Sequence, residues 1–422
     1  MLKGLKGNIV YTKTIDKLTI IENGYIIWDE NKVIGVFKEL KREYEDIEIK
    51  DYKDCIIMPG LCDLHVHAPQ YKFRGSGMDL ELMEWLDKYT FPEEAKFKDI
   101  DYAKKIYDRF VQDLLKSPTT RASIFGTIHV DSTIELMDLL EKSHLKTYVG
   151  KVNMDSNCPD ILTEYNADTS ISNTKEWLDK IKDKYQNTKP ILTPRFVPCC
   201  DSKLLDELGK LSEEENLPKQ SHLSENPKEV AFVKEYEPRS KFYGDAYYMH
   251  NLFGGKNKTI MAHCVYSNEE EINLMKKQGV YVAHCPASNM NLSSGVAPVR
   301  KFLDRGLNVG IGTDVGGGHS LSMLRAMADS IQVSKLRWRL MDDSLSPLKI
   351  SEVFYMATKG GGSFFGKVGS FEKDYEMDAI IIDDSTINNI SKYDIEDRIE
   401  RIIYLDGEID IISKYVSGNK LF

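Results

Sequence analysis

The chain has 422 residues, and its 56 Lys+Arg against 66 Asp+Glu leave a formal charge of −10. That acidic balance argues against a nucleic-acid partner, which favours clustered Lys and Arg, while 41% apolar residues supply core enough to enclose an active site. Apolar runs such as Cys55–Gly60 fall far short of the ~20 residues a bilayer-crossing helix needs, so no membrane partner is expected.

Lys3, Lys6 and Lys13 are followed by no apolar leader with a small-residue cleavage site. Seven scattered cysteines, with Cys199 and Cys200 adjacent, read as reduced thiols in a cytoplasmic protein. Along the chain, short β-like runs come first: Asn8–Tyr11, Lys17–Ile21, Tyr25–Trp28 and Lys32–Phe37. They predict one part of a small antiparallel sheet or sandwich over residues 1–59. From residue 60 to 370, eight strand candidates alternate with helix-like stretches: Leu61–His67, Ala122–Val130, Lys146–Met154, Pro190–Phe196, Lys219–Leu223, Thr259–Cys264, Val280–His284 and Leu307–Gly312. Amphipathic segments such as Asp131–Ser143, Ser202–Glu215, Asn268–Gln278 and Ala297–Arg305 separate them. This alternation predicts a parallel (β/α)₈ barrel. Residues 371–422 turn β-like again at Ala379–Ile382 and Ile402–Leu405, so both chain ends are expected to build one small β domain. Gly316–Gly318 and Gly360–Gly362 match neither a Walker loop nor a dinucleotide fingerprint.

The chemistry-bearing residues stand at one end of these strands. His65 and His67 close Leu61–His67, and on a strand residues i and i+2 share a face, so two imidazoles can meet one metal ion. His222 closes Lys219–His222, with Glu225 three residues later; His263, His284 and Asp314 close three further candidates. In a barrel that end is the mouth where active sites are built. Neutral imidazoles with one carboxylate leave a divalent ion positively charged, able to acidify water from about 15.7 to about 7. A nearby carboxylate, Glu225 or Asp314, then moves protons. His129, His144, His250 and His319 belong to no such ensemble and read as structural or surface histidines.

Six stretches carry a resemblance: Pro59–Gln70, Thr193–Phe196, Ser221–Glu225, Met261–His263, His284–Asn289 and Gly312–Gly317. They resemble the amidohydrolase superfamily, its mononuclear deaminase branch, and within that the guanine deaminase family. The resemblance implies a TIM-like barrel with a small β-sandwich domain, hydrolysing guanine to xanthine and ammonia in purine catabolism or salvage. It implies one zinc ion per chain on His65, His67, His222 and Asp314, with His263 either a further ligand or the residue that positions water. Imidazole and carboxylate suit iron as well as zinc. It makes Glu225 the proton shuttle and Asp314 the acceptor of the water's proton. Gln70 and Arg195 would hydrogen-bond the purine edges, Phe196 would contact the ring, and His284 would support the site. A homodimer is implied too.

The nearest alternative is a deaminase or chlorohydrolase of the same branch acting on cytosine, an adenosine derivative or a triazine. A binuclear hydrolase of the dihydroorotase kind needs a carboxylated lysine ending the fourth strand; Pro190–Phe196 has none, and Lys151 lies on the third. The unrelated zinc deaminase motif is absent, because Pro198-Cys-Cys has the wrong spacing. A catalytically dead barrel would lack ligands that are present here.

Overall fold

The computed structural model describes residues 2–422. Strands β1 (Leu2–Tyr11), β2 (Thr19–Asp29), β3 (Lys32–Phe37) and β4 (Glu48–Pro59) open the chain. The barrel strands follow: β5 (Leu61–His67), β6 (Thr119–Phe125), β7 (Lys146–Gly150), with the short β8 (Val152–Asn153) continuing it, and β9 (Thr188–Pro190), with β10 (Thr193–Pro194). Then come β11 (Lys219–Leu223), β12 (Thr259–His263), β13 (Tyr281–His284) and β14 (Asn308–Ile311). The last three, β15 (Ala379–Asp383), β16 (Asp410–Val416) and β17 (Asn419–Lys420), return to the first sheet.

Eight parallel strands form the order β11-β12-β13-β14-β5-β6-β7-β9. A parallel bridge between Leu192 and Lys219 joins the two ends, so the sheet closes into a barrel. Helices such as Val130–Ser143, Ser202–Glu215 and Glu269–Gln278 lie between consecutive strands, as parallel pairing requires. The helix boundaries follow from capping: Asp201 and Asn268 accept backbone N–H groups of the first turns. The chain ends share one sheet, ordered β17-β16-β15-β4-β1-β2-β3. It is mixed rather than purely antiparallel, because β1 and β4 run parallel.

Several expected boundaries shift for identifiable reasons. The second barrel strand ends at Phe125, and His129 instead caps the helix Val130–Ser143. The fourth is split into β9 and β10, which contain Pro190 and Pro194; proline offers no N–H to a ladder. Ile402–Leu405, read as β, lies in and just after the helix Ile395–Tyr404. There Ile395, Ile399, Ile402 and Ile403 are buried at helical spacing, and Asp394 caps the start; the 3.6-residue period outweighs β-branched composition. β4, β16, β17 and the first part of β1 were not expected; β4 and β16 begin with polar residues.

The small sheet is fastened to the barrel by buried charge. Arg121 of β6 reaches Asp378 through Nε at 2.7 Å and Glu376 through Nη2 at 2.8 Å. Lys414 of β16, fully buried, donates to the Thr119 carbonyl at 3.0 Å and to the Leu114 and Leu115 carbonyls, which end a helix. These bonds hold the base of β6, so the opposite end of the barrel is free to carry loops.

Candidate active site

The site sits at the C-terminal ends of the barrel strands. β5 ends with His65 and His67, both buried, and the first and last barrel strands are tied where they meet the site. Asp63 accepts the Thr313 N–H at 3.0 Å and the Thr313 hydroxyl at 2.5 Å, Asp314 N donates to the His65 carbonyl at 2.8 Å, and His67 N donates to the Val315 carbonyl. His263 and Asp314 adopt left-handed backbone, with φ of 73° and 47°. Non-glycine residues held there cost of order 1–3 kcal/mol and cluster at functional sites.

The side chains converge. His67 Nε2 lies 3.2 Å from His65 Nε2 and 3.2 Å from His222 Nε2. Asp314 Oδ1 stands 3.2 Å from His65 Nε2 and 3.4 Å from His67 Nε2. His222 donates its Nδ1–H to the Arg195 carbonyl at 2.6 Å, and His263 donates its Nδ1–H to Asn289 Oδ1 at 2.9 Å. Each bond selects the tautomer whose Nε2 lone pair faces the centre. Burial, then neighbouring imidazoles, keeps His67 and His222 well below the ordinary histidine range.

Neutral imidazoles whose lone pairs face one another at 3.2 Å repel unless a cation lies between them. The donor chemistry therefore fits a divalent ion: His65, His67 and His222 form one close group, and His65, His263, Asp314 and Cys285 another. The sequence reading did not include Cys285. Burial raises its thiol well above the usual range and Sγ donates to the Ala283 carbonyl, so it is a poor ligand beside the imidazoles.

Glu225 is buried, with Oε2 3.4 Å from His263 Nε2, and Ser294 donates its hydroxyl to Oε1 at 3.1 Å. Burial, and then the Asp314 charge, pushes its carboxyl up to about 8. Asp314 goes the other way: burial opposes its ionisation, but the imidazoles of His65, His263 and His67 hold it well below the usual range. Two buried carboxyls on one cavity thus differ in proton affinity, an arrangement suited to acid–base chemistry. The backbone N–H groups of Glu225 and Asn226 are held by Glu229, which also accepts from the Tyr243 hydroxyl.

These groups open on one cavity. Its lining combines His67, His222, His263, Glu225 and Asp314 with Gln70, Arg195, Phe196, Leu82, Trp85, Leu86 and Leu292. Apolar side chains with a few fixed polar groups are the lining of a small-molecule site. Arg195 and Gln70 are both buried and both bonded to Glu94.

His284 is buried beside the site and burial pushes its imidazole down to about 3, yet neither ring nitrogen has a hydrogen-bond partner among the described residues. His250 pairs with Asp206, His144 caps a helix, His129 opens one, and His319 contacts Asn291. None of these four lines the cavity. Lys151, central to the binuclear alternative, is buried in an ion pair with Glu164. Sequence reasoning missed Glu94, Ser294, Asn289, Glu229 and the cover formed by Leu82, Trp85 and Leu86. Only Asn289 lay in a motif already singled out; the others carry no local signal.

Comparison with known proteins agrees with this geometry. The amidohydrolase family model matches residues 56–420. The chain is 41% identical to guanine deaminase of Mus musculus, over 99% of this chain and 96% of that protein. It is 37% identical to guanine deaminase of Dictyostelium discoideum, over 100% and 98%. Among solved structures, guanine deaminase from C. acetobutylicum with guanine bound in its active site superposes with a TM-score of 0.96, at 52% identity and 100% coverage of both chains.

Proposed function

The chain belongs to the amidohydrolase family, and within it to the guanine deaminases; on that premise we propose how its residues convert guanine and water to xanthine and ammonia. The observation that carries the reading is the cavity itself, which Glu225, Asp314, His67, His222 and His263 line together with Gln70, Arg195 and Phe196.

His65, His67, His222 and Asp314 would hold the metal, with His263 either adding a ligand or orienting the water. An N₃O donor set of this kind suits one zinc ion per chain. When bound, the ion supplies Lewis acidity that makes water a nucleophile near neutral pH. Asp314 accepts a proton from the water as its oxygen attacks the amino-bearing ring carbon. Glu225 delivers its proton to the adjacent ring nitrogen. It then takes the proton of the newly added hydroxyl as that becomes the carbonyl, and passes it to the amino group, which leaves as ammonia. The proton held by Asp314 returns Glu225 to its starting state. Ser294 keeps Glu225 Oε1 oriented while Oε2 faces the reacting centre. Gln70 and Arg195 hydrogen-bond the purine edges, Arg195 toward the 6-oxo group, and Phe196 lies against the ring. A buried polar pocket of this type rejects rings that leave its donors unpaired.

The test is ammonia release from guanine, with cytosine, adenine and a triazine run beside it. Turnover of guanine alone supports the assignment of Gln70, Arg195 and Phe196; turnover of another ring in its place overturns it.

A further inference from the structure

Gln70 and Arg195 come from different parts of the barrel, 125 positions apart, yet they share one partner. Glu94 Oε2 accepts Arg195 Nη1 at 2.5 Å, and Oε1 accepts both Arg195 Nη2 at 3.2 Å and Gln70 Nε2 at 2.9 Å. All three side chains are buried, at 3% exposure or less. Glu94 ends the short helix Phe91–Glu94 and does not itself line the cavity.

A carboxylate only accepts hydrogen bonds. Facing Glu94, Gln70 must therefore present its NH₂ group, which turns its carbonyl oxygen the other way, to accept Gly316 N at 3.2 Å. Glu94 thus decides which end of the Gln70 amide each neighbour meets. The same carboxylate grips both Nη atoms of Arg195 and balances its buried charge, leaving Nε and the remaining Nη hydrogens for a ligand.

We propose that Glu94 is a positioning residue for base recognition, locking Gln70 and Arg195 into the single donor and acceptor pattern that reads the 6-oxo edge of the purine. This inference rests on the reading of Gln70 and Arg195 given above. Glu94 touches neither substrate nor metal ligands, so its effect falls on discrimination and KM rather than on metal content.

The experiment uses hypoxanthine and unsubstituted purine as competitive inhibitors of guanine turnover by the zinc-loaded protein. Both lack the 2-amino group that is lost in the reaction; only hypoxanthine carries the 6-oxo group. The wild-type protein should hold hypoxanthine more tightly than purine; equal binding by the wild type overturns the proposal. In Glu94→Gln the amide offers one accepting oxygen to three incoming donors. The preference should fall at least about tenfold, and the KM for guanine should rise by a similar factor, with zinc content and most of kcat retained. Glu94→Asp keeps the charge that the fold needs but shortens the arm, so its preference should fall to an intermediate value; it decides the matter if Glu94→Gln does not fold. A wild-type preference retained in the folded variants, or an equal weakening of both inhibitors, overturns the proposal. A wild-type protein that does not deaminate guanine overturns the earlier functional reading instead.

Discussion

The two walls of the cavity are built differently. The wall that faces the metal position comes from strand ends: His65 and His67 on β5, His222 on β11 and His263 on β12, with Glu225 and Asp314 just beyond β11 and β14. The wall proposed to read the base comes largely from the turn after β5, residues 82–86, and the loop after β10. A closed barrel fixes strand ends in space whatever the loops do, so the chemistry is set by the scaffold. The reading wall is instead held by side-chain bonds that converge on Glu94. The first wall should therefore fail by losing metal or proton transfer, and the second by losing affinity.

The largest effect is expected at the first wall. His67→Ala removes the imidazole that lies within 3.2 Å of two others, so both bound zinc, measured by elemental analysis, and guanine turnover should fall to background. Glu225→Gln should keep zinc but lose about 10²–10⁴ in kcat; near-normal turnover would remove Glu225 from proton transfer. At the second wall, Arg195→Ala should raise the KM for guanine strongly with zinc unchanged. It also leaves Glu94 buried without its partner, which should lower stability by about 3–5 kcal/mol, read from denaturant unfolding. Loss of zinc in that variant would make Arg195 a support of the metal wall instead. Ser294→Ala is milder: loss of one hydroxyl donor to Glu225 should lower kcat about tenfold and leave KM in place.

The difference between the walls also decides how much could be read in the sequence. Eight strands alternating with amphipathic helices were legible because a parallel barrel repeats one pattern. His-x-His was legible because strand geometry puts residues i and i+2 on one face, and His-x-x-Glu and Thr-Asp because they stand at or just beyond strand ends. Boundaries failed where a local rule met a stronger one: prolines at 190 and 194 broke a strand, and the isoleucines from 395 to 403 obeyed helical spacing instead of β propensity. Glu94 was illegible for another reason. It lies in Phe91-Pro-Glu-Glu, an unremarkable acidic turn, and acquires meaning only when folding brings Gln70 and Arg195 to it. Ser294 and Glu229 are alike in this, since each acts on Glu225 through a contact that no motif encodes.

If the strand-end wall works as proposed, a single metal held there is required for guanine turnover. The direct measurement is a titration of metal-stripped protein with zinc, following ammonia release from guanine. Stripped protein should show no turnover, and activity should rise linearly and stop at one equivalent per chain. Turnover that survives stripping, or a rise that continues to two equivalents, would contradict that requirement.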